Sequence, residues 1–126
     1  MANYTTVQYR NGNISTYYIV GELKATDISA IYDVMSADIG TDVSCIGENA
    51  FANSHIAHVI IPDSVVEIKT DAFANCLSLG MYANDISLPS SLTSIGEGAF
   101  TYTHLKSITI PSSVVNIGWY AFAYCH

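Results

Sequence analysis

The chain has 126 residues, of which 50% are hydrophobic and only 12% are charged. Soluble domains ordinarily carry about 25% charged residues, so we expect a single domain in which most of the chain is buried. The net charge of −7 repels nucleic-acid phosphates and anionic membrane surfaces. No apolar run reaches the length of a membrane span, and the start, Met1–Gln8, is polar rather than signal-like. The composition therefore argues against a nucleic-acid partner and against a membrane span.

Residues 1–38 do not repeat, and we expect them to form an N-terminal cap. Residues 7–10 and 14–20 alternate between apolar and polar around Asn11-Gly12, a pair that favours a tight hairpin turn. Asp27 then predicts the start of a helix that runs to about Ala37 and ends at Gly40. The predicted helix carries one apolar stripe, made of Ile28, Ile31, Tyr32, Met35 and Ile39.

From residue 39 onward a short phrase returns four times, each time ending in an Ala-Phe pair preceded by Ile. The four copies are Ile46–Phe51, Ile68–Phe73, Ile95–Phe100 and Ile117–Phe122. Their Phe residues are separated by 22, 27 and 22 positions. Repeats with a period of roughly 20 to 50 residues are typical of solenoids, propellers and arrays.

The repeated unit also contains a strand and a turn. Pro62, Pro89 and Pro111 each begin a Pro-x-Ser-aliphatic step, and a short apolar run that alternates with polar residues precedes each Pro. Alternation predicts a strand with one buried face, and the Pro ends that strand. The residues predicted to point inward are Val59, Ile61, Ile86, Leu88, Ile108 and Ile110. Within the phrase, apolar residues fall at helical spacing, so each unit is predicted to be strand, turn and one helical turn.

One such unit cannot bury its own apolar face, but stacked units share a continuous core. We therefore predict an α/β repeat solenoid of about four coils over residues 39–126, preceded by the hairpin-and-helix cap. Each Phe should lie on the Phe of the next coil.

The copies share a pattern of aliphatic strand, Pro-x-Ser-Val, Ile-Gly, Ala-Phe and Cys, which resembles the BspA-like class of leucine-rich repeats. The resemblance covers residues 39–126, with departures at Lys69 for Gly, at Ser54 and Thr103 for Cys, and in the extra residues of the second unit. It implies a curved solenoid in a surface or secreted protein that serves in adhesion or protein recognition. Because fold does not dictate function, that implication is broad.

The cysteines and histidines do not form a recognisable metal or redox motif. Cys76 and Cys125 hold equivalent inward positions two coils apart, which places them too far apart for a disulfide, and Cys45 has no partner. His55, His104 and His126 share one position in the unit. A neighbouring imidazole pair could hold a metal or act as an acid switch, but no carboxylate or thiolate completes the site. We expect a surface column of histidines, no bound metal and no cofactor.

Three surfaces could contact a partner. The insertion that lengthens one repeat to 27 residues presents Met81, Tyr82 and Asn84. Insertions in repeat proteins often lie on the binding face, although a tolerated bulge without a function is the commoner case. Exposed aromatic residues, common at interface hot spots, are predicted on the last two coils. They are Tyr102, Trp119, Tyr120 and Tyr124. The outward strand positions His58, Ser107 and Thr109 form the third surface, unless they only stabilise the sheet.

No nucleophile elbow, phosphate-binding loop or zinc-hydrolase motif occurs in the chain, so we do not expect an enzyme. The favoured function is a protein-binding or adhesion module, extracellular or at a cell surface as the resemblance implies. The alternative is a structural subunit of a larger assembly, such as a surface layer or a virion. That subunit would associate through the C-terminal coil, where Ile110, Val114, Ile117 and Phe122 lack a following coil.

Overall fold

The computed structural model describes residues 3–82 and 84–125. These residues form nine short strands and two 3₁₀ turns, Ala25–Asp27 and Ile31–Asp33. The strands are β1 (Thr5–Tyr9), β2 (Ile14–Tyr17), β3 (Gly21–Leu23), β4 (Val34–Asp38), β5 (Val43–Ile46), β6 (His58–Ile60), β7 (Glu67–Ile68), β8 (Ser94–Ile95) and β9 (Asn116–Ile117). In these ranges no helix is long and apolar enough to cross a membrane.

The strands form two sheets that run along the stack. The longer sheet has the order β3-β5-β7-β8-β9, and every neighbouring pair in it is parallel. Its register places Leu23, Ile46, Ile68, Ile95 and Ile117 in one row, one residue for each coil. The shorter sheet has the order β2-β1-β4-β6, with a hairpin at one end and the parallel β4–β6 pair at the other.

The predicted phenylalanine ladder is confirmed. Successive ring centroids from Phe51 to Phe73, Phe100 and Phe122 lie 5.3, 5.2 and 5.3 Å apart, and the ring planes are within 8° of parallel. Phe51, Phe73 and Phe100 are fully buried, whereas Phe122 is partly buried. The rings therefore share one core that continues from coil to coil.

The predicted helical turn of each repeat is wrong, and with it the α/β class, because the segment forms consecutive turns. Two residues in each coil adopt left-handed backbone, for example Asn49 (φ 58°) and Asn53 (φ 63°), which a helix does not allow. As a result the amides alternate in direction. The Ala50 amide donates to Gly47 within the coil, whereas the Phe51 amide donates to Ala72 of the next coil. The spacing of buried residues in such turns coincides with that of a helix.

The predicted helix from Asp27 to Ala37 is also wrong. Ala30 has left-handed backbone (φ 49°), and after the 3₁₀ turn Ile31–Asp33 the chain forms β4, which pairs with β1 on one side and β6 on the other. Hydrogen bonds from two neighbouring strands outweigh the local helical preference. Of the predicted stripe, Ile28 and Ile39 are buried, while Tyr32 and Met35 are exposed.

The hairpin at the N-terminus is confirmed by the antiparallel β1–β2 pair. Since β3 joins the parallel sheet, the stacking of coils extends into the first 38 residues, and the boundary at residue 38 remains a prediction.

The strand predictions before the three prolines have mixed outcomes. His58–Ile60 is a strand, and Val59, Ile61, Ile86 and Leu88 are buried as expected. Residues 86–88 and 105–110, however, form no strand, and Ile110 is 37% exposed rather than inward. The shorter sheet therefore stops at β6, while the longer sheet continues through two more coils.

The ladder makes a direct prediction about stability. Replacing Phe73, which stacks on a ring on each side, with Ala should lower the free energy of unfolding by about 3–5 kcal/mol. Phe122→Ala should cost clearly less, because that ring is partly exposed and stacks on one neighbour in the described chain. Urea denaturation followed by circular dichroism measures both values. Equal losses at the two positions would contradict a shared central core.

Candidate functional site

Four aromatic side chains of the last two coils are exposed, and we call them the aromatic surface. They are Tyr102 (44% exposed), Trp119 (79%), Tyr120 (65%) and Tyr124 (57%). The rings of Tyr102 and Tyr124 stack on each other, with centroids 4.8 Å apart and an interplanar angle of 9°. Trp119 and Tyr120 lie in the same run of turns as Tyr124. The sequence-based prediction that these residues lie on the outside agrees with their exposure.

All three tyrosines of the aromatic surface have unfavourable backbone conformations. Tyr102, Tyr120 and Tyr124 have φ values of 58°, 60° and 58°, in the left-handed region. The equivalent positions of the other coils are held by residues that tolerate this region, namely Asn49, Asn53, Asp71, Asn75 and Gly98. A bulky side chain in left-handed backbone costs roughly 1–2 kcal/mol, whereas Asn, Asp and Gly pay less or nothing. The tyrosines are therefore not the residues that local stability alone would select.

The insertion and the outward strand positions lie together in the structure. Asn84, Ser107 and Thr109 line one open groove of about 480 Å³. Met81 and Tyr82, which are 52% and 76% exposed, line the adjoining hollow with Leu105 and Ser107. Two of the three predicted surfaces are thus a single region. Ala83, also part of the insertion, lies outside the described residues.

The His58 side chain does not line this groove. Its Nδ1 lies 3.8 Å from Oδ1 of Asp85, a carboxylate that is buried and also accepts a hydrogen bond from the Tyr82 amide. His58 therefore lies beside the end of the insertion.

Sequence reasoning missed a cavity of about 610 Å³ in the N-terminal part of the chain. The Tyr9 and Tyr17 hydroxyl oxygens are 2.8 Å apart there, and Arg10 forms a 2.6 Å ion pair with Asp33 at the rim. Burial raises the pKa of Tyr9, and the hydrogen bond with Tyr9 lowers the pKa of Tyr17. In place of the predicted helix, irregular backbone brings Ser29 to Tyr9 and Asp33 to Arg10 of the hairpin.

The three cysteines are free, as expected. The Cys76 thiol donates to the Phe51 carbonyl of the preceding coil at 3.0 Å, and Cys125 donates to Phe100 in the same way at 3.3 Å. Burial raises the pKa of the Cys76 and Cys45 thiols to about 11. The Cys45 and Cys76 thiols are therefore neutral at physiological pH, which disfavours a nucleophilic role, and the Cys76 thiol links two neighbouring coils.

The histidine column is described only in part, since His126 lies outside the described residues. His55 packs against the Tyr32 ring at 5.0 Å, and its Nδ1 lies 3.0 Å from the Tyr32 carbonyl oxygen. Within residues 3–82 and 84–125, no group of three or more His, Cys, Asp or Glu residues could hold a metal ion.

The buried Cys76 thiol makes stability depend on alkaline pH. Its pKa is about 11 in the folded chain against an ordinary value of 9.0, so folding favours the neutral thiol. The stabilisation of the folded chain that the neutral thiol provides is complete below pH 9 and is lost as pH rises toward 11. Between these values the free energy of unfolding should fall more steeply for the native chain than for Cys76→Ser. Parallel pH curves from urea titrations of the two proteins would contradict this.

The repeat pattern and the two-sheet stack agree with a match to a family model. The model for the BspA type leucine-rich repeat region matches six copies, over residues 9–80 and 33–126. The chain belongs to this family.

Two solved structures resemble the whole stack. A leucine-rich repeat protein from Bacteroides ovatus is 35% identical, with a TM-score of 0.68 over 90% of this chain and 28% of that one. The leucine-rich repeat protein of T. pallidum is 23% identical, with a TM-score of 0.67 over 96% of this chain and 64% of that one. The present chain thus spans less than two thirds of each. The comparison with curated proteins found no match.

Proposed function

We propose that this chain is a non-enzymatic protein-binding or adhesion module and that the aromatic surface contacts its partner. The observation that carries the proposal is the left-handed backbone of Tyr102, Tyr120 and Tyr124. Unfavourable backbone conformations concentrate at functional sites, where a side chain is retained for a reason other than stability.

The chemistry of the surface supports a protein partner. Tyr and Trp are the residues most enriched at interface hot spots, because they bury a large area with few rotatable bonds. The stacked Tyr102–Tyr124 pair already has its rings held in place before binding, which reduces the entropy lost on association. The net charge of −7 favours a neutral or basic partner surface.

The alternative function is a structural subunit that associates through its last coil. In the described chain the longer sheet ends at β9, where Val115 and Ile117 are 75% and 49% exposed. An exposed strand edge with apolar side chains is a ready surface for another strand. Light scattering separates the two functions, because a subunit of this kind forms concentration-dependent oligomers without any partner.

The binding role predicts that Trp119→Ala abolishes retention of a partner in a pull-down from cell-surface extract, with an unchanged circular dichroism spectrum. The matched control is Thr70→Ala, since Thr70 holds the equivalent position two coils earlier. The control should retain the same proteins as the native chain. If Trp119→Ala also retained them, the aromatic surface would not be the binding site.

The conformational argument makes a separate prediction about stability. Tyr120 is 65% exposed, and it holds the position taken by Asn49, Asp71 and Gly98 in other coils. Tyr120→Asn should therefore raise the free energy of unfolding by roughly 0.5–1 kcal/mol while it weakens partner binding. Urea denaturation gives the first value. A destabilised Tyr120→Asn variant would show that the tyrosine is there for packing.

A further inference from the structure

We propose that the groove between residues 84–88 and 107–111 is a second recognition site, which takes an uncharged peptide segment in extended conformation as an added strand. This site does not depend on the aromatic surface. The proposal starts from the interruption of the shorter sheet. β4 and β6 pair in register, but the next two coils do not continue the ladder.

The insertion lies at this interruption. Gly80, with φ 94°, packs so closely on the following coil that a Cβ there would lie 2.7 Å from the Cα of Leu105. The insertion therefore packs on the start of residues 105–110, and that segment forms no strand pairing with residues 86–88. The resulting groove has a volume of about 480 Å³.

Backbone groups on both sides of the groove have no partner in the described chain. The Ile86, Leu88 and Thr109 amides donate no hydrogen bond to any described residue. Their direction follows from β6, where the Val59 amide donates forward to Asp85 of the next coil at 2.8 Å. Relative to the following proline, Ile86 and Ile108 correspond to Val59. Carried over to residues 86–88, which form no strand of their own, the alternation of amides along β6 directs those of Ile86 and Leu88 into the groove from one side.

By the same alternation the Thr109 amide points into the groove from the other side, and the Ile110 amide points away from it. The Ile86, Leu88 and Thr109 carbonyl oxygens likewise accept no hydrogen bond from any described backbone amide. Free donors and acceptors of this kind are matched by another backbone in extended conformation, the mode of recognition called strand addition. A segment of about five residues spans the length of the groove, at about 3.3 Å per residue.

The side chains that line the groove select the occupant further. Residues 84, 86–88, 107–109 and 111 include no ionisable side chain. Phosphate and carboxylate ligands therefore have no counter-charge there. Ser87, Ser107 and Thr109 are small and exposed, so a peptide backbone can approach closely, while Ile86 and Leu88 are buried below them. An uncharged peptide of alternating hydroxyl and β-branched residues fits this lining.

The test uses the full chain and a synthetic probe, acetyl-Thr-Val-Ser-Val-Thr-amide, in an NMR titration. We expect the amide signals of Ile86, Leu88 and Thr109 to shift and their hydrogen exchange to slow as the probe binds. The matched control is the same peptide N-methylated at alternate residues, which removes the backbone donors and should bind about tenfold more weakly.

Two proline variants test the direction of the amides. Thr109→Pro removes the donor that points into the groove and should weaken probe binding about tenfold, whereas Ile110→Pro should leave it unchanged. Trp119→Ala should also leave it unchanged, so that failure of this site is distinguishable from failure of the aromatic surface.

Three results would overturn the proposal. They are equal binding of the N-methylated probe, signal shifts confined to residues outside the groove, and no saturable binding at millimolar probe. Protection of the same amides that grows with protein concentration in the absence of the probe would mean that the groove binds a second copy of this chain instead of a peptide.

Discussion

Everything in this structure depends on the mutual burial of neighbouring coils. A single coil has one or two short strands and a run of turns, and it cannot shelter its own Phe and Ile from water. Stacking places four phenylalanine rings in one column and five aliphatic residues of the longer sheet in one row. Apolar burial and parallel stacking of rings both favour the stacking of coils, which is why the same residues recur in each copy of the repeat.

The same constraint leaves the outside of each coil free to vary. The left-handed positions of the turns are required by the path of the backbone, but their side chains point away from the ladder. Asn, Asp and Gly meet that requirement at least cost, and the later coils use Tyr instead. The described residues of the insertion, Gly80–Tyr82 and Asn84, are accommodated similarly. The shorter sheet ends at β6, before the insertion, while the longer sheet and the ladder continue past it.

The sequence was sufficient to predict the repeat, the stacking of phenylalanines and the hairpin, because each of these features requires apolar residues, such as Phe51 and Phe73, at regular spacing. It was not sufficient to distinguish turns from helix. Residues that fall at positions i and i+4 are buried in both structures, and only the φ values of Asn49 and Asn53 separate them. The helix at residues 27–37 was wrong for another reason: β4 is fixed by partners distant in sequence. The exposed aromatic residues could be predicted from their position in the repeat, whereas the groove and the N-terminal cavity arise from three-dimensional packing alone.

Native-state hydrogen exchange of the Phe51, Phe73 and Phe100 amides tests most directly whether neighbouring coils share one core. Each of these amides donates to an alanine carbonyl in the next coil. We predict that all three exchange with the same free energy, equal to that of global unfolding by urea, because a coil cannot open without exposing its neighbours. Three widely different free energies would mean that the coils open independently, and would contradict this account.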